Sequence, residues 1–260
     1  KIAINFKGEG WISNMRVKDM DIRSNNTRIL AYGNVVGLPY IKNTYFNIVI
    51  KDVSCSYNDF ISQRLGTILS KVHLPKIIER LGEVELSGKF KGMINNFATN
   101  LLVSCQEGEL NINAKGLTPN NSNLTTYSGE INSTRIDIGS LINNSMLGGT
   151  TLMADFSVCG KSMNDLKGEL KGNLNDFFFK GNTYNAVTVN GQVNGKEVNA
   201  NLKVNDNYIN MDLDGKVGFN GNLAFDVEAK INNANLHKMN IVSFADTNAL
   251  ISANVRANCS

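Results

Sequence analysis

The chain has 260 residues, of which 42% are hydrophobic and only 19% charged, and it contains 23 Gly against 3 Pro. A net charge of +3 without a dense run of Lys or Arg argues against nucleic acid as a partner. Abundant Gly and repeated Asn-Asn pairs predict many short turns, and the length allows one large domain or two ordinary ones.

Apolar and polar residues alternate along most of the chain. Ile2, Ile4 and Phe6 begin the pattern, and residues 46–50 continue it. The clearest stretches are residues 198–204, 209–213 and 223–231, which are separated by Asn, Asp and Gly. A period of two predicts strands with one apolar and one wet face, so these stretches favour an antiparallel meander. A further strand is predicted at residues 250–255.

Two segments interrupt this alternation. Apolar residues between 57 and 81 follow helical spacing, Pro75 suits a first helical turn, and Gly82 suits a C-terminal cap. We therefore predict one or two short helices within residues 58–81. Residues 138–147, closed by Gly148 and Gly149, predict a second helical turn. Both segments are interpreted as plugs or caps of the sheet rather than partner-binding elements.

The chain also contains an internal repeat. Residues 88–97 (GKFKGMINNF) match residues 168–177 (GELKGNLNDF) at an offset of 80 residues, and residues 10–15 match part of the same motif. Such a repeat indicates one sheet extended by similar units, since a single unit cannot bury its apolar face alone. Glycines at regular strand positions permit bulges and coiling, so they predict a curved sheet.

No constellation of residues points to catalysis or to a metal or other cofactor. His73 and His237 lack a neighbouring triad motif, and Cys55, Cys105, Cys159 and Cys259 form no metal-ligand spacing. The first three cysteines lie in strand-like stretches and are expected to act as small buried hydrophobes. The carboxylate pairs Asp19/Asp21 and Asp212/Asp214 alternate on strands and are expected to face water. The chain is therefore predicted not to be an enzyme.

The apolar stripe itself is the remaining candidate site. It could be the core of a sealed sandwich or the lining of an open trough suited to acyl chains, and the residues alone leave the two alternatives even. The predicted lining comprises Ile48, Ile50, Leu152, Phe156, Val158, Val198, Leu202, Val204, Ile209, Met211, Leu213, Leu223, Phe225, Val227 and Ile231.

Several motifs, in order along the chain, resemble those of the TamB family of the AsmA-like superfamily in Bacteroidota. They are G-x-V-x-G-LP at residues 33–39, LP…LG followed by G-x-F-x-G and Phe in residues 74–97, I-D-I-G-x-L and L-G in residues 136–148, and the segments at residues 179–185, 198–206 and 212–215. Each motif is weak alone, and their order and spacing carry the resemblance.

The resemblance implies one continuous segment of an elongated, curled antiparallel sheet, a half-pipe or β-taco, over residues 1–260. It implies a periplasmic protein anchored in the inner membrane through a segment outside this chain, which is taken to be an internal fragment. The expected function is phospholipid transport along a hydrophobic groove, with acyl chains and an Omp85-type outer-membrane barrel of the TamA kind as partners. Alternatives are a scaffold for outer-membrane protein assembly by β-strand pairing, and a glycan-binding β-sandwich. A single Trp and 8% aromatic residues weigh against the last.

Overall fold

The protein is all-β in a computed structural model, which describes residues 2–24, 26–56, 80–119, 122–161, 165–218, 224–243 and 249–259. The chain divides into two compact units, Lys1–Asn120 and Asn121–Ser260. In each unit long antiparallel strands follow one another in chain order, as the alternating pattern predicted. The predicted antiparallel all-β class is thus confirmed.

The first unit is a meander of seven strands in its described part. They are β1 (Ile2–Trp11), β2 (Asn14–Ser24), β3 (Thr27–Val36), β4 (Tyr45–Ser56), β5 (Glu83–Met93), β6 (Asn96–Cys105) and β7 (Gly108–Leu117), with a 3-10 turn at Ile41–Asn43. The predicted helices at residues 58–81 lie outside the described residues except for Arg80 and Leu81.

The second unit continues in the same manner. Its elements are β8 (Thr125–Asp137), helix α1 (Ile138–Ile142), β9 (Gly149–Gly160), β10 (Lys167–Asn175), β11 (Phe177–Phe179), β12 (Asn182–Tyr184), β13 (Val187–Asn194), β14 (Glu197–Asn205), β15 (Ile209–Gly218), β16 (Ala224–Ala234) and β17 (Ile251–Cys259). Strands β11 and β12 form a separate hairpin, so β10 pairs with β13 in the long sheet.

Helix α1 confirms the second predicted helical segment, although it is shorter than residues 138–147. The Asp137 carboxylate accepts a hydrogen bond from the Ser140 backbone N–H at 3.0 Å and caps the helix start. Asn143 ends the helix in the left-handed conformation with φ +58°. Leu147 then bridges to Phe179, which draws the chain back into extended structure.

The two copies of the ten-residue repeat occupy equivalent elements. Each begins in a long strand, β5 or β10, and ends just beyond a tight turn. Their glycines differ in backbone conformation, because Gly88 has φ +145° whereas Gly168 has no positive φ. In the first unit a register shift lies between Ile50 and Val53, next to the Ile50–Gly88 pair. The glycine therefore accompanies a bulge in one copy of the repeat.

Candidate functional site

Cross-strand register collects the apolar residues of the second unit on one side of its sheet. Residues directly opposite each other on neighbouring strands share a face. Four rows of such residues form what we call the apolar face of this unit: Leu152–Leu174–Val187–Val204–Met211–Ile231, Ala154–Gly172–Val189–Leu202–Leu213–Ala229, Phe156–Leu170–Gly191–Ala200–Gly215–Val227, and Val158–Gly168–Val193–Val198–Val217–Phe225. The four rows contain predicted lining residues from β9, β14, β15 and β16, and these residues therefore share one face.

One end of the apolar face is a sealed core. Its buried members are Leu174, Tyr184, Val187, Val204, Ile209, Ala234 and Met239. The β11–β12 hairpin contributes Tyr184 and packs Phe177 and Phe179 against this cluster, and the turn that follows β16 contributes Leu236 and Met239. Val187 is completely inaccessible to solvent. This end of the face is therefore ordinary protein interior.

The sealed core corrects part of the predicted lining. Val204 and Ile209 were expected to line an open groove, yet each is only 6% exposed because the hairpin and the turn cover them. Leu152, Leu202, Met211 and Ile231 are half-buried and pack against the edge of the core. Fewer of the predicted residues therefore line the open part of the apolar face than the alternating pattern suggested.

Most of the rest of the apolar face is half-buried, with Ala154 and Gly191 buried. Phe156, Val158, Val198, Leu213 and Val227 keep intermediate exposure and do not belong to the sealed core. In the described part of this unit, the hairpin and the turn pack on the end of the face that holds the sealed core. Of the remaining predicted residues, Leu223 lies outside the described residues, and Phe225 is placed in β16 without a described side chain.

The first unit repeats this arrangement with its own register. Its apolar face has four rows: Ile4–Ile22–Ile29–Val53–Leu86–Val103–Leu110, Phe6–Met20–Ala31–Ile50–Gly88–Leu101–Ile112, Gly8–Val17–Gly33–Ile48–Phe90–Thr99–Ala114, and Gly10–Met15–Val35–Phe46–Gly92–Phe97–Gly116. The predicted residues Ile48 and Ile50 lie on it and are half-buried. Among the described residues of this unit, the buried apolar side chains are Val17, Ala31 and Val35.

The low burial of these rows helps to distinguish a sealed sandwich from an open trough. A sandwich buries the inner face of each sheet against the other, so most side chains in such rows are inaccessible. Here large residues such as Phe90, Leu101 and Ile112 remain half-buried, and phenylalanines from three neighbouring strands contact one another on this face. The Phe90 and Phe97 rings stack with centroids 5.1 Å apart, and Phe46 meets Phe90 edge-on at 6.4 Å. The described residues therefore favour an open apolar face.

The opposite face of the second unit is polar and internally paired. Salt bridges join Lys216 to Glu197 at 2.8 Å and Arg256 to Asp226 at 2.9 Å. Asp212 lies 3.5 Å from Lys203, and Asp214 accepts a hydrogen bond from the Asn201 amide at 2.8 Å. A furrow of about 620 Å³ lies over strands β10 and β13–β17, and Asn201, Asp214, Lys216, Asp226 and Arg256 are among its lining residues. Asp212 and Asp214 thus lie on the wet face, as predicted.

The other predicted carboxylate pair is also on a polar face. Asp21 accepts hydrogen bonds from Arg23 at 2.7 Å and from Arg28 at 3.2 Å. Hydrogen bonding to Arg23, and then to Arg28, holds the pKa of this carboxyl well below its usual range. Asp19 pairs across the strands with Lys7. Within the described residues, no group of three His, Cys, Asp or Glu side chains is placed to hold a metal ion.

The histidines and cysteines that the structure describes lie in strands or in a turn. His237 is half-buried in the turn after β16, and His73 lies outside the described residues. Cys55, Cys105 and Cys159 are half-buried in their strands rather than fully buried, and the Cys105 thiol donates to the Gly108 carbonyl at 3.4 Å. Cys259 ends β17 without a described side chain.

Comparisons with protein-family models, with characterised proteins and with solved structures find no match to this chain. No helix in the described part of the chain is both long and apolar enough to cross a membrane.

Proposed function

We propose that the open part of the apolar face binds the acyl chains of phospholipid, and that the chain is a non-enzymatic segment of a lipid conduit. One observation carries this proposal. In each unit the register aligns half-buried apolar side chains in rows across neighbouring strands, while polar side chains occupy the opposite face. A row that crosses strands is a continuous apolar track, because neighbouring strands lie about 4.8 Å apart.

The energetics of such a track suit transport rather than tight binding. Burial of hydrocarbon contributes about 0.8 kcal/mol per CH2 group and does not depend on direction. An acyl chain can therefore move its contact from Leu213 to Val227 without breaking a specific hydrogen bond. The sealed core around Val187 supports the fold of the second unit separately, so the open rows are available for a ligand.

The wider setting of this function rests on the resemblance to TamB-type proteins. The sheet is proposed to curl into an elongated half-pipe, with the apolar face inside and the polar head groups at the wet edge. The chain is proposed to lie in the periplasm, to be tied to the inner membrane by a segment outside this sequence, and to act with an Omp85-type outer-membrane barrel. The glycines of the repeat support the curl, because strand glycines permit bulges and bending.

A scaffold for outer-membrane protein assembly is the second candidate. It would use a strand edge to pair with a client strand. Long antiparallel strands favour this mechanism, and β17 exposes the apolar residues Ile251 and Val255 beside its single described neighbour, β16. The two candidates differ in which part of a strand touches the ligand, since lipid contacts side chains of one face and a client strand contacts backbone.

Adjacent residues of β16 give a matched test. A photoreactive amino acid is placed either at Val227, on the apolar face, or at Glu228, on the polar face. The chain is expressed in the envelope of a diderm bacterium, irradiated, and searched for crosslinked phospholipid by mass spectrometry. The proposal expects lipid at Val227 and not at Glu228. Equal lipid capture at both positions, or none at either, contradicts it, whereas capture of outer-membrane proteins along β17 favours the scaffold.

A further inference from the structure

One end of the first unit carries a cluster of exposed apolar turns. In an antiparallel meander, alternate turns lie at the same end of the sheet. The β1–β2 turn, the β3–β4 loop, the β5–β6 turn and the end of β7 all meet here. Their exposed side chains, which we call the apolar tips, are Trp11, Ile12, Val36, Tyr40, Ile41, Met93, Ile94 and Leu117. The most accessible, Trp11 and Tyr40, are 83% and 74% exposed.

The described turns at the opposite end have a different character. Asn26 lies between β2 and β3, and Gln106 and Glu107 lie between β6 and β7. Polar residues are the usual occupants of such turns. Among the described turns of this unit, the exposed apolar side chains therefore lie at one end of the sheet.

The tips are held in place by backbone hydrogen bonds. The Gly37 N–H donates to the Ser13 carbonyl at 2.8 Å, which ties the β3–β4 loop to the β1–β2 turn. The Thr118 N–H donates to the Asn95 carbonyl at 2.7 Å and joins the end of β7 to the β5–β6 turn. These bonds join the turns in two pairs, so the apolar side chains within each pair are held side by side.

A basic row lies directly behind the tips. On the polar face of the sheet, cross-strand pairs place Arg16, Lys91 and Lys115 two residues before the last row, which holds Trp11, Met93 and Leu117. Two residues of strand span about 7 Å. Residues 10–16, 36–47, 91–98 and 114–118 contain four cations and no acidic residue, the fourth cation being Lys42. Glu9, which shares the basic row, is paired with Lys18.

We propose that this end of the first unit docks on the surface of an anionic phospholipid bilayer. Trp and Tyr favour the membrane–water interface, and apolar side chains on an interfacial element insert about 5–10 Å below the head groups. With the tips inserted, a basic row about 7 Å behind them lies at the level of the lipid phosphates. Charge complementarity therefore selects an anionic lipid surface. The docking uses residues outside the apolar face and does not depend on its proposed role in lipid transport.

The chain carries its own reporter for this docking, because Trp11 is its single tryptophan. The whole 260-residue chain is mixed with vesicles of phosphatidylcholine, or of equal parts phosphatidylcholine and phosphatidylglycerol. Tryptophan emission, its quenching by brominated lipid and co-sedimentation are recorded. With anionic vesicles, the emission should shift to shorter wavelength, be quenched, and return towards its free value in high salt.

Matched variants locate the contact. Arg16→Gln, Lys91→Gln and Lys115→Gln together should weaken partitioning on the order of a hundredfold, since each cation near an anionic surface contributes a few-fold or more. Ile12→Ser with Ile94→Ser should also weaken it and leaves Trp11 intact. Control variants in the second unit are Lys171→Gln, Lys203→Gln and Lys216→Gln, and separately Met146→Ser with Ile241→Ser; both should bind like the parent.

Three outcomes overturn the proposal. The first is Trp11 emission that stays unchanged with anionic vesicles, and the second is control variants that lose as much binding as the tip variants. The third is an emission shift that needs only higher protein concentration and no vesicles, which would make the tips a contact between copies of the chain. Leu213→Asp on the apolar face separates this proposal from lipid transport. It should abolish lipid capture at Val227 and leave the Trp11 response unchanged.

Discussion

A charged substitution at two positions of the same apolar face distinguishes an open track from a protein interior. Val187 lies in the sealed core with no accessible surface, whereas Leu213 is half-buried between Leu202 and Ala229 on the neighbouring strands. Val187 is the first residue of β13 and Leu213 lies in the middle of β15, so strand propensity penalises aspartate at residue 213 at least as much as at residue 187. The comparison therefore reports on how well each site can solvate a charge.

The expected magnitudes differ by several kcal/mol. Asp at residue 187 buries an unpaired charge or forces its protonation, and we expect a loss of about 4 kcal/mol or more. At residue 213 water reaches the new carboxylate, so the loss is limited to about 1–2 kcal/mol, which is roughly the transfer free energy of a partly buried leucine. For a unit of this size, each kcal/mol lowers the melting temperature by about 3 °C.

The assay pairs thermal denaturation with lipid capture at Val227. Val187→Asp should lower the melting temperature by about 12 °C or more, and Leu213→Asp by about 3–6 °C. Leu213→Asp should also end phospholipid crosslinking at Val227, which faces Gly215, two residues further along β15. If both variants unfold alike and the parent captures no lipid, the whole face is ordinary core and the proposed function is wrong.

Three further predictions concern backbone, charge and chemistry. Gly88→Ala should lower the free energy of unfolding by roughly 1–3 kcal/mol in denaturant titrations, because φ is +145° and a Cβ would overlap the Asn100 carbonyl. Gly191→Ala should be nearly neutral in the same titrations, because the nearest atom to its new Cβ would lie 3.6 Å away. Asp21→Asn should lower the melting temperature near neutral pH. Because the folded-state pKa of Asp21 is lowered, its ion pairs stabilise the fold above the unfolded pKa of about 3.9, and this stabilisation disappears as the pH falls below that value. A difference in melting temperature between parent and variant that stays constant down to strong acid would contradict the ion-pair explanation. Replacing His237 should leave lipid capture at Val227 intact, and a loss of capture with unchanged folding would point to a chemical role for this side chain.

The sequence predicts the strands well because their signal is local. Alternation at residues 198–204 and 209–213 fixes which side chains share a face, and β14 and β15 bear this out with Leu202 opposite Leu213. The helix at residue 138 is also marked locally, since Asp137 can cap it. These features need only the period of two and the chemistry of a helix end.

The sealed core could not be predicted in the same way. Its cover comes from β11–β12 and from Met239, which lies more than 50 residues beyond that hairpin in the sequence. The repeat ends at residue 177, so only the first residue of segment 177–184 belongs to it. The repeat therefore gave no indication of the hairpin. A signal was nevertheless present, because three consecutive Phe at residues 177–179 exceed what a two-faced strand needs. Which strand end they would cover depends on tertiary packing.

Three groups of apolar residues in the described part of this protein thus have different physical roles. The core around Val187 excludes water and stabilises the second unit, and the half-buried rows around Leu213 retain access to solvent. The tips around Trp11, which are 38–83% exposed, lie at a strand end in front of cations. Exposed apolar surface costs solubility, so its persistence in two separate places calls for two separate occupants. Hydrocarbon chains can satisfy the rows by contact alone, whereas the tips, with Arg16, Lys91 and Lys115 behind them, match a surface that is both apolar and negatively charged.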